Sequence, residues 1–311
     1  MKKIRDIILK ISNIFHLTNY LFKIWFMFLG LKNGIIIKFH SNYLLLRKKG
    51  KEIKIKKGKN DFGSIGIVLR DFENFYSTIV LDNNQNIIDF SIPKFHKVAT
   101  GHNFFFHDIC EPIATTNIYI EKANLKKNGE VVLDLGSYCG TQTVYYSEAV
   151  GPNGLVIAFE PDNDSFNSLQ LNVKQSVYKN IIIENKGVYS YNGVVSFTNT
   201  GGMASSISND INQNSVNIDV VTLDSVATKY SLTRCDFIKM DIEGSEIEVL
   251  KSSKKFIEIY KPKFIIEPHY LNGNLNTLEI IEIFNSLNYE TEIIKQGNQD
   301  YQPLIFAFPI F

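Results

Sequence analysis

The chain has 311 residues with 44% hydrophobic and 13% aromatic content, enough for one large α/β domain with a smaller N-terminal module. Lys+Arg 33 against Asp+Glu 32 leaves a formal net charge of +1, which removes any global electrostatic drive toward nucleic acid. The three cysteines, Cys110, Cys139 and Cys235, are too few and too scattered for a disulfide framework or a cysteine metal site, and a reducing, cytoplasmic setting fits them best.

Residues 1–32 mix apolar and basic side chains, with Lys2, Lys3, Arg5 and Lys10 ahead of an apolar stretch that begins at Tyr20. Lys23 and Lys32 interrupt that stretch. The clean run between them is far shorter than the roughly 20 residues a spanning helix needs, and no small-residue cleavage site follows. The segment 1–33 is therefore expected to be helical, packed on the protein or lying on a membrane surface, with packing ahead.

Short apolar runs follow at 35–39, 43–46, 52–55, 65–69, 78–81 and 87–90, separated by turn signals at Lys49-Gly50 and Asp82-Asn83-Asn84. They predict a small β-rich subdomain with its linker over 34–120. Arg47, Lys48, Lys49, Lys51, Lys54, Lys56, Lys57 and Lys59 form a basic patch within it. Solvated hairpin faces account for this patch better than attraction to an anionic glycan or lipid head group. The nearby aromatics show no stacking motif for nucleic acid.

From about 121 to 311 the pattern alternates between strands and helices. The run 131–135 ends in Asp134-Leu135, a loop with Gly136 and Gly140 opens a helix, and a second apolar run, 155–159, ends in Glu160. A helix is expected at 164–173, capped by Asp162 or Asp164, and strands at 181–183, 187–198 (broken by a turn at Asn192-Gly193) and 218–221. Then come a strand at 237–240 ending in Asp241, a helix at 244–251, a strand at 264–266 ending in Glu267, a helix at 278–287 and a closing hairpin of 289–294 with 304–308.

The glycine loop narrows the ligand. A dinucleotide fingerprint needs G-x-G-x-x-G, yet the position two after Gly136 is Tyr138, and no Gly-Lys-Ser/Thr follows to make a P-loop. Small residues allow close approach but build no phosphate cradle. That suits a nucleoside with an amino-acid tail, Asp134 near its amine and Glu160 accepting from its ribose hydroxyls, which is the shape of S-adenosylmethionine. Asp134, Glu160, Asp241 and Glu267 all fall at strand ends, where open α/β sheets bind ligands.

These residues carry a family resemblance. D-L-G-S-Y-C-G at 134–140 and A-F-E-P at 158–161 resemble the first two motifs of class I methyltransferases, and D-F-I-K-M-D-I-E-G-S-E at 236–246 is similar to the signature of the FkbM family of S-adenosylmethionine-dependent methyltransferases. Asn172, the Gly202-Met-Ala-Ser205-Ser206 loop, Thr222-Leu-Asp224 and Pro262 to Glu267 add to it, and the resemblance covers roughly 125–270. The chain departs from the family's usual G-A-N-x-G loop at Ser137, Tyr138 and Cys139 but keeps both glycines. The resemblance implies a Rossmann-like class I methyltransferase sheet, mostly parallel with an antiparallel closing strand, behind a helical and β-rich N-terminal extension. It also implies S-adenosylmethionine as cofactor, bound by Asp134, Gly136, Ser137, Tyr138, Gly140, Glu160 and Pro161, and O-methylation of a sugar, glycan, glycolipid or secondary metabolite.

In methyl transfer to a hydroxyl the acceptor's proton must leave, and a positioned base contributes roughly 10²–10⁴-fold. Asp241 is the first candidate, with Glu243 and His269 as rivals, and Lys239 either steadies a developing alkoxide or pairs with a neighbouring acid. Glu267 with Asp241 and His269 would suit a divalent metal, but no spacing motif demands one and none is expected. The loop around Gly201 and Gly202 is read either as a substrate lid or as a plain hairpin connection. Two other classes stay open: a nucleic-acid or protein methyltransferase, and a cofactor-binding module without catalysis. Met240-Asp241-Ile242-Glu243 is not the Asn/Asp-Pro-Pro-aromatic strand end of an adenine N6 enzyme.

Overall fold

The structure is a computed structural model, described over residues 18–56, 62–82, 85–109, 113–198, 206–207, 215–271, 274–295 and 302–310. Lys57, Lys59, Cys110 and most of the loop around Gly201 lie outside the described residues. The chain divides into two compact units, residues 1–112 and 113–311.

In the first unit, helix α1 (Thr18–Lys32) buries Phe22, Phe26 and Leu29 and ends at Gly34, whose φ of +67° breaks the helical path. Strands β1 (Ile36–Phe39), β2 (Tyr43–Lys48) and β3 (Lys51–Lys56) pair antiparallel in order. Lys49 and Gly50, with φ of +47° and +81°, form the two-residue turn between β2 and β3, the left-handed geometry that matches strand twist. Leu44, Leu46, Ile53 and Ile55 alternate into the core.

Here the structure corrects the sequence reading. The run expected as a strand at 65–69 belongs instead to helix α2 (Phe62–Arg70); of the run at 78–81, Thr78 closes helix α3 (Phe72–Thr78) and Ile79 is an isolated bridge to Val98. Ile65, Val68, Leu69, Phe72 and Phe75 are buried at helical spacing, which a five-residue window of β-branched residues conceals. Strand β4 (Ile87–Phe90) then pairs parallel with β3, a pairing that needs a crossover and so requires helices between them. Strands β5 (Lys94–Lys97) and β6 (Asn103–Phe106) form a further hairpin the sequence reading did not anticipate. The basic patch is largely neutralised from within: Arg47 pairs with Glu52, Lys51 with Glu73 at 2.6 Å and Lys54 with Asp89 at 3.0 Å.

The second unit opens with α4 (Ile113–Ala123), also unanticipated; the expected boundary at 121 falls inside it. It continues through β7 (Val131–Leu135), α5 (Thr141–Val150), β8 (Leu155–Phe159), α6 (Asn163–Lys174) and β9 (Ile181–Glu184). Strands β10 (Gly187–Val188), β11 (Gly193–Thr198), β12 (Ser206–Ile207) and β13 (Ser215–Val221) form a separate four-stranded sheet ordered β10-β13-β11-β12. Helix α7 (Leu223–Lys229), β14 (Phe237–Met240), α8 (Glu246–Ser252), α9 (Lys254–Tyr260), β15 (Lys263–Ile266), the short pair β16 (Tyr270–Leu271) and β17 (Asn274–Leu275), α10 (Thr277–Ser286), β18 (Tyr289–Ile294) and β19 (Leu304–Pro309) complete it.

The main sheet runs β18-β19-β15-β14-β7-β8-β9, with β19 antiparallel to both its neighbours and the inner strands parallel. This is the expected class I methyltransferase sheet. Strand order reverses between β7 and β14, so their carboxyl ends open the crevice where such sheets bind ligands. Leu133, Leu135, Ile238, Met240, Phe264 and Ile266 pack on one face against α7 to α10. Val132, Val156, Phe237 and Ile265 pack on the other against Tyr119, Tyr146 and Val150. With both faces covered, these strands carry continuous apolar runs rather than alternating ones.

Candidate active site

The glycine loop is fixed by its backbone. Gly136 and Ser137 both donate N–H to the Phe159 carbonyl at 3.0 Å, and Gly140 N–H donates to Ser137 O at 2.8 Å. Gly136 sits at φ +77°, and a Cβ there would lie 1.7 Å from the Asp241 carbonyl oxygen. The exit of β7 therefore touches the exit of β14, and only glycine permits it. Gly140, at φ +82°, faces Leu169 of α6, where a Cβ would come within 2.3 Å of its Cδ1. Asn172 of α6 donates to the Cys139 carbonyl at 2.7 Å and ties the loop down from behind.

The two acids of this half have different situations. Asp134 is fully buried, and its Oδ2 accepts from the Thr143 hydroxyl at 2.5 Å. Burial raises its pKa against the pull of Lys239. Its carboxylate has no exposed surface, and its Oδ1 has no hydrogen-bond partner among the described residues. Glu160, past the end of β8, accepts from Tyr138 N–H at 2.7 Å and from Asp162 N–H at 2.9 Å, one on each oxygen. Burial pushes its carboxyl up to about 8, against these two donors. Each oxygen keeps a second acceptor site, the chemistry a ribose diol requires. Pro161 follows at the loop edge, partly exposed. A glycine-lined approach and an acid at the next strand end thus fit a nucleoside cofactor.

The other half gathers at β14 and β15. Lys239 is nearly buried, and its Nζ donates to the Gly136 carbonyl at 2.6 Å and to Asp241 Oδ2 at 3.2 Å. It joins the two strand exits, and its head is committed to them. His269 Nε2 stands 3.5 Å from Asp241 Oδ1 and 3.4 Å from Glu243 Oε2. Its Nδ1 lies 2.9 Å from Glu246 Oε1. Glu246 is fully buried; Asn276 Nδ2 donates to its Oε2 at 2.9 Å and Gly244 N–H to its Oε1 at 3.1 Å. Burial alone would pull His269 down, but the Glu246 hydrogen bond and the carboxylates of Glu243, Glu246 and Asp241 outweigh it and lift the imidazole to about 10. The surrounding carboxylates thus favour the imidazolium form of His269.

Glu243 occupies a left-handed backbone position at φ +52°, rare for a residue with a side chain. Its side chain is 29% exposed, yet the enclosing protein pushes its carboxyl up to about 8, with His269 opposing and Asp241, Glu267 and Glu246 reinforcing. One ligand atom from each of Asp241, Glu243 and His269 lies within 4.8 Å of the others. That trio, with Glu243 where the sequence reading considered Glu267, has the donor set for a divalent cation. Glu267 accepts instead from the Tyr119 hydroxyl at 3.2 Å. Two contributors escaped the sequence reading. Glu246 stood in the motif without a role, and Asn276, 30 residues further on, had no local signal at all.

The profile of the Methyltransferase FkbM domain matches residues 134–291. A curated relative, the hexuronic acid methyltransferase AglP of Haloferax volcanii, is 25% identical over 171 residues, covering 55% of this chain and 68% of that protein. Among solved structures, a methyltransferase FkbM from Methylobacillus flagellatus is similar at 18% identity and a TM-score of 0.43, covering 80% of this chain and 61% of that one. The O-methyltransferase TomG of Streptomyces achromogenes, in complex with S-adenosylmethionine, matches at 9% identity and a TM-score of 0.44, covering 66% and 83%. The family match spans the glycine loop, both acid-bearing strand ends and the Lys239–Glu246 block, so the chain belongs to the FkbM family of S-adenosylmethionine-dependent methyltransferases.

Proposed function

We propose that the protein methylates a hydroxyl oxygen of a sugar, in a glycan, a glycolipid or a secondary metabolite. In this reading Glu160 takes the ribose hydroxyls of S-adenosylmethionine. The backbone of Gly136, Ser137 and Tyr138, with Gly140 and Pro161 at the edges, borders the nucleoside and its tail. The cofactor supplies an electrophilic methyl group, and most of the acceleration comes from aligning the acceptor oxygen with it.

The observation that carries the reading is the pair Asp241 and Glu243 at the β14 exit, facing the His269 cation. A neutral hydroxyl acceptor must lose a proton, and the best base has a pKa near the working pH. Glu243, pushed up to about 8, meets that requirement. Asp241, the sequence's first choice, already faces Lys239 and His269 and is better suited to hold them in place. His269 and Lys239 act as fixed positive charges beside the carboxylates. An acceptor attacking through its own carboxylate would need no base. The carbohydrate named for AglP supports a sugar as the acceptor class.

The test is turnover at saturating cofactor and acceptor. Glu243→Gln should lower kcat by roughly 10²–10⁴-fold while S-adenosylmethionine binding measured by calorimetry stays within a few-fold. Full turnover in Glu243→Gln, with loss in Asp241→Asn, would return the base to Asp241. Full turnover in both would remove base catalysis from this site.

A further inference from the structure

Helix α1 has two apolar faces, and among the described residues only one is buried. Phe22, Phe26 and Leu29 are buried in the first unit, whereas Ile24, Met27, Phe28 and Leu31 stand 49%, 50%, 67% and 72% exposed. Their spacing of i, i+3, i+4, i+7 places them in one stripe along the helix. A monomeric soluble surface rarely leaves such large apolar side chains contiguous without a function.

The charge around the stripe indicates what meets it. From Thr18 to Lys51 the sequence holds seven Lys or Arg and no Asp or Glu, in a chain whose overall charge is only +1. Lys23 and Lys32 flank the stripe on the helix, and Lys38 lies exposed on the neighbouring β1. Most basic residues of β2 and β3 are paired, Arg47 with Glu52, Lys48 and Lys51 with Glu73 and Lys54 with Asp89; Lys23, Lys32 and Lys38 make no ion pair among the described residues. Exposed large apolar side chains rimmed by lysines are the surface that inserts at the boundary of an anionic bilayer, with the lysines against the head groups. Among the described residues no helix is long and apolar enough to cross a membrane, so contact would be along the surface.

We propose that this face of α1 docks the protein on an anionic lipid surface. The proposal is independent of the acceptor reading, because its test reads binding and not turnover. The full chain is sedimented with vesicles of phosphatidylcholine alone or with about a third phosphatidylglycerol. Wild type should pellet with the anionic vesicles, at least tenfold more than with the neutral ones, and be released at high salt. Phe28→Glu with Leu31→Glu should reduce that binding at least tenfold, and Lys23→Glu with Lys32→Glu should do so in low salt. Both pairs are exposed, and an unchanged thermal transition confirms that the variants are folded. The proposal is overturned if wild type stays in the supernatant at low salt, or if the Phe28/Leu31 variant binds as wild type does, which would assign binding to another segment. It is also overturned if light scattering shows a dimer that the same variant dissociates and no vesicle binding is found.

Discussion

Gly136 is the residue where the glycine loop and the exit of β14 meet. Its positive φ and the 1.7 Å approach of a Cβ to the Asp241 carbonyl mean that Gly136→Ala must push the two strand exits apart. We expect S-adenosylmethionine affinity to fall by more than about tenfold, read by calorimetry, with the far-UV spectrum retained. Glu246 has a different burden, since it holds both His269 and Asn276 from a fully buried position. Glu246→Ala strips the buried His269 Nδ1 and Asn276 Nδ2 of their shared acceptor and should cost about 3–5 kcal/mol in denaturant unfolding, whereas Glu246→Gln keeps a hydrogen-bonding side chain and should cost less. The legibility of the site divides along the same line. Asp134, Gly136, Gly140 and Glu160 stand within one β-α-β unit, so local pattern exposes them. His269 lies 23 residues from Glu246 and Asn276 lies 30, and no periodicity links side chains that only the fold brings together.

At the scale of elements, length decided what was readable. The inner strands of the main sheet are largely apolar runs ending in acids or turns, and helix α6 announces itself through the Asp162 cap, which accepts from Ser165 N–H at 2.9 Å. Short elements of the first unit were misread where β-branched residues sit at helical spacing, as in α2. The hairpin β5–β6 makes its own prediction through His96, which is 6% exposed, lies beside Phe90 and Phe106, and among the described residues has no hydrogen bond on Nε2. Burial, with Lys94 adding to it, lowers its pKa to about 4. The folded pKa lies below the unfolded value of about 6.5, so the neutral form is favoured by folding. Its contribution is complete above about pH 6.5 and is lost as pH falls toward 4. Amide exchange in β5 and β6 should accelerate between pH 7 and 5 beyond the intrinsic rate change, and His96→Phe should flatten that dependence. Equal protection across this range would show that His96 is not held neutral.

For the whole molecule, the second unit is a sheet covered on both faces whose order reverses at β7 and β14, and the chemistry collects at that reversal. One half, the glycine loop with Glu160, suits the methyl donor. The other half, Asp241, Glu243 and His269 held by Lys239 and Glu246, suits removal of a proton from a neutral acceptor. The measurement that tests this most directly is transfer of labelled methyl groups from S-adenosylmethionine to extracted glycans and glycolipids, followed by mild alkali. The account predicts label on sugar oxygen as an ether that survives alkali. Label released as methanol, which marks a carboxyl ester, or label found only in RNA or protein, would contradict it.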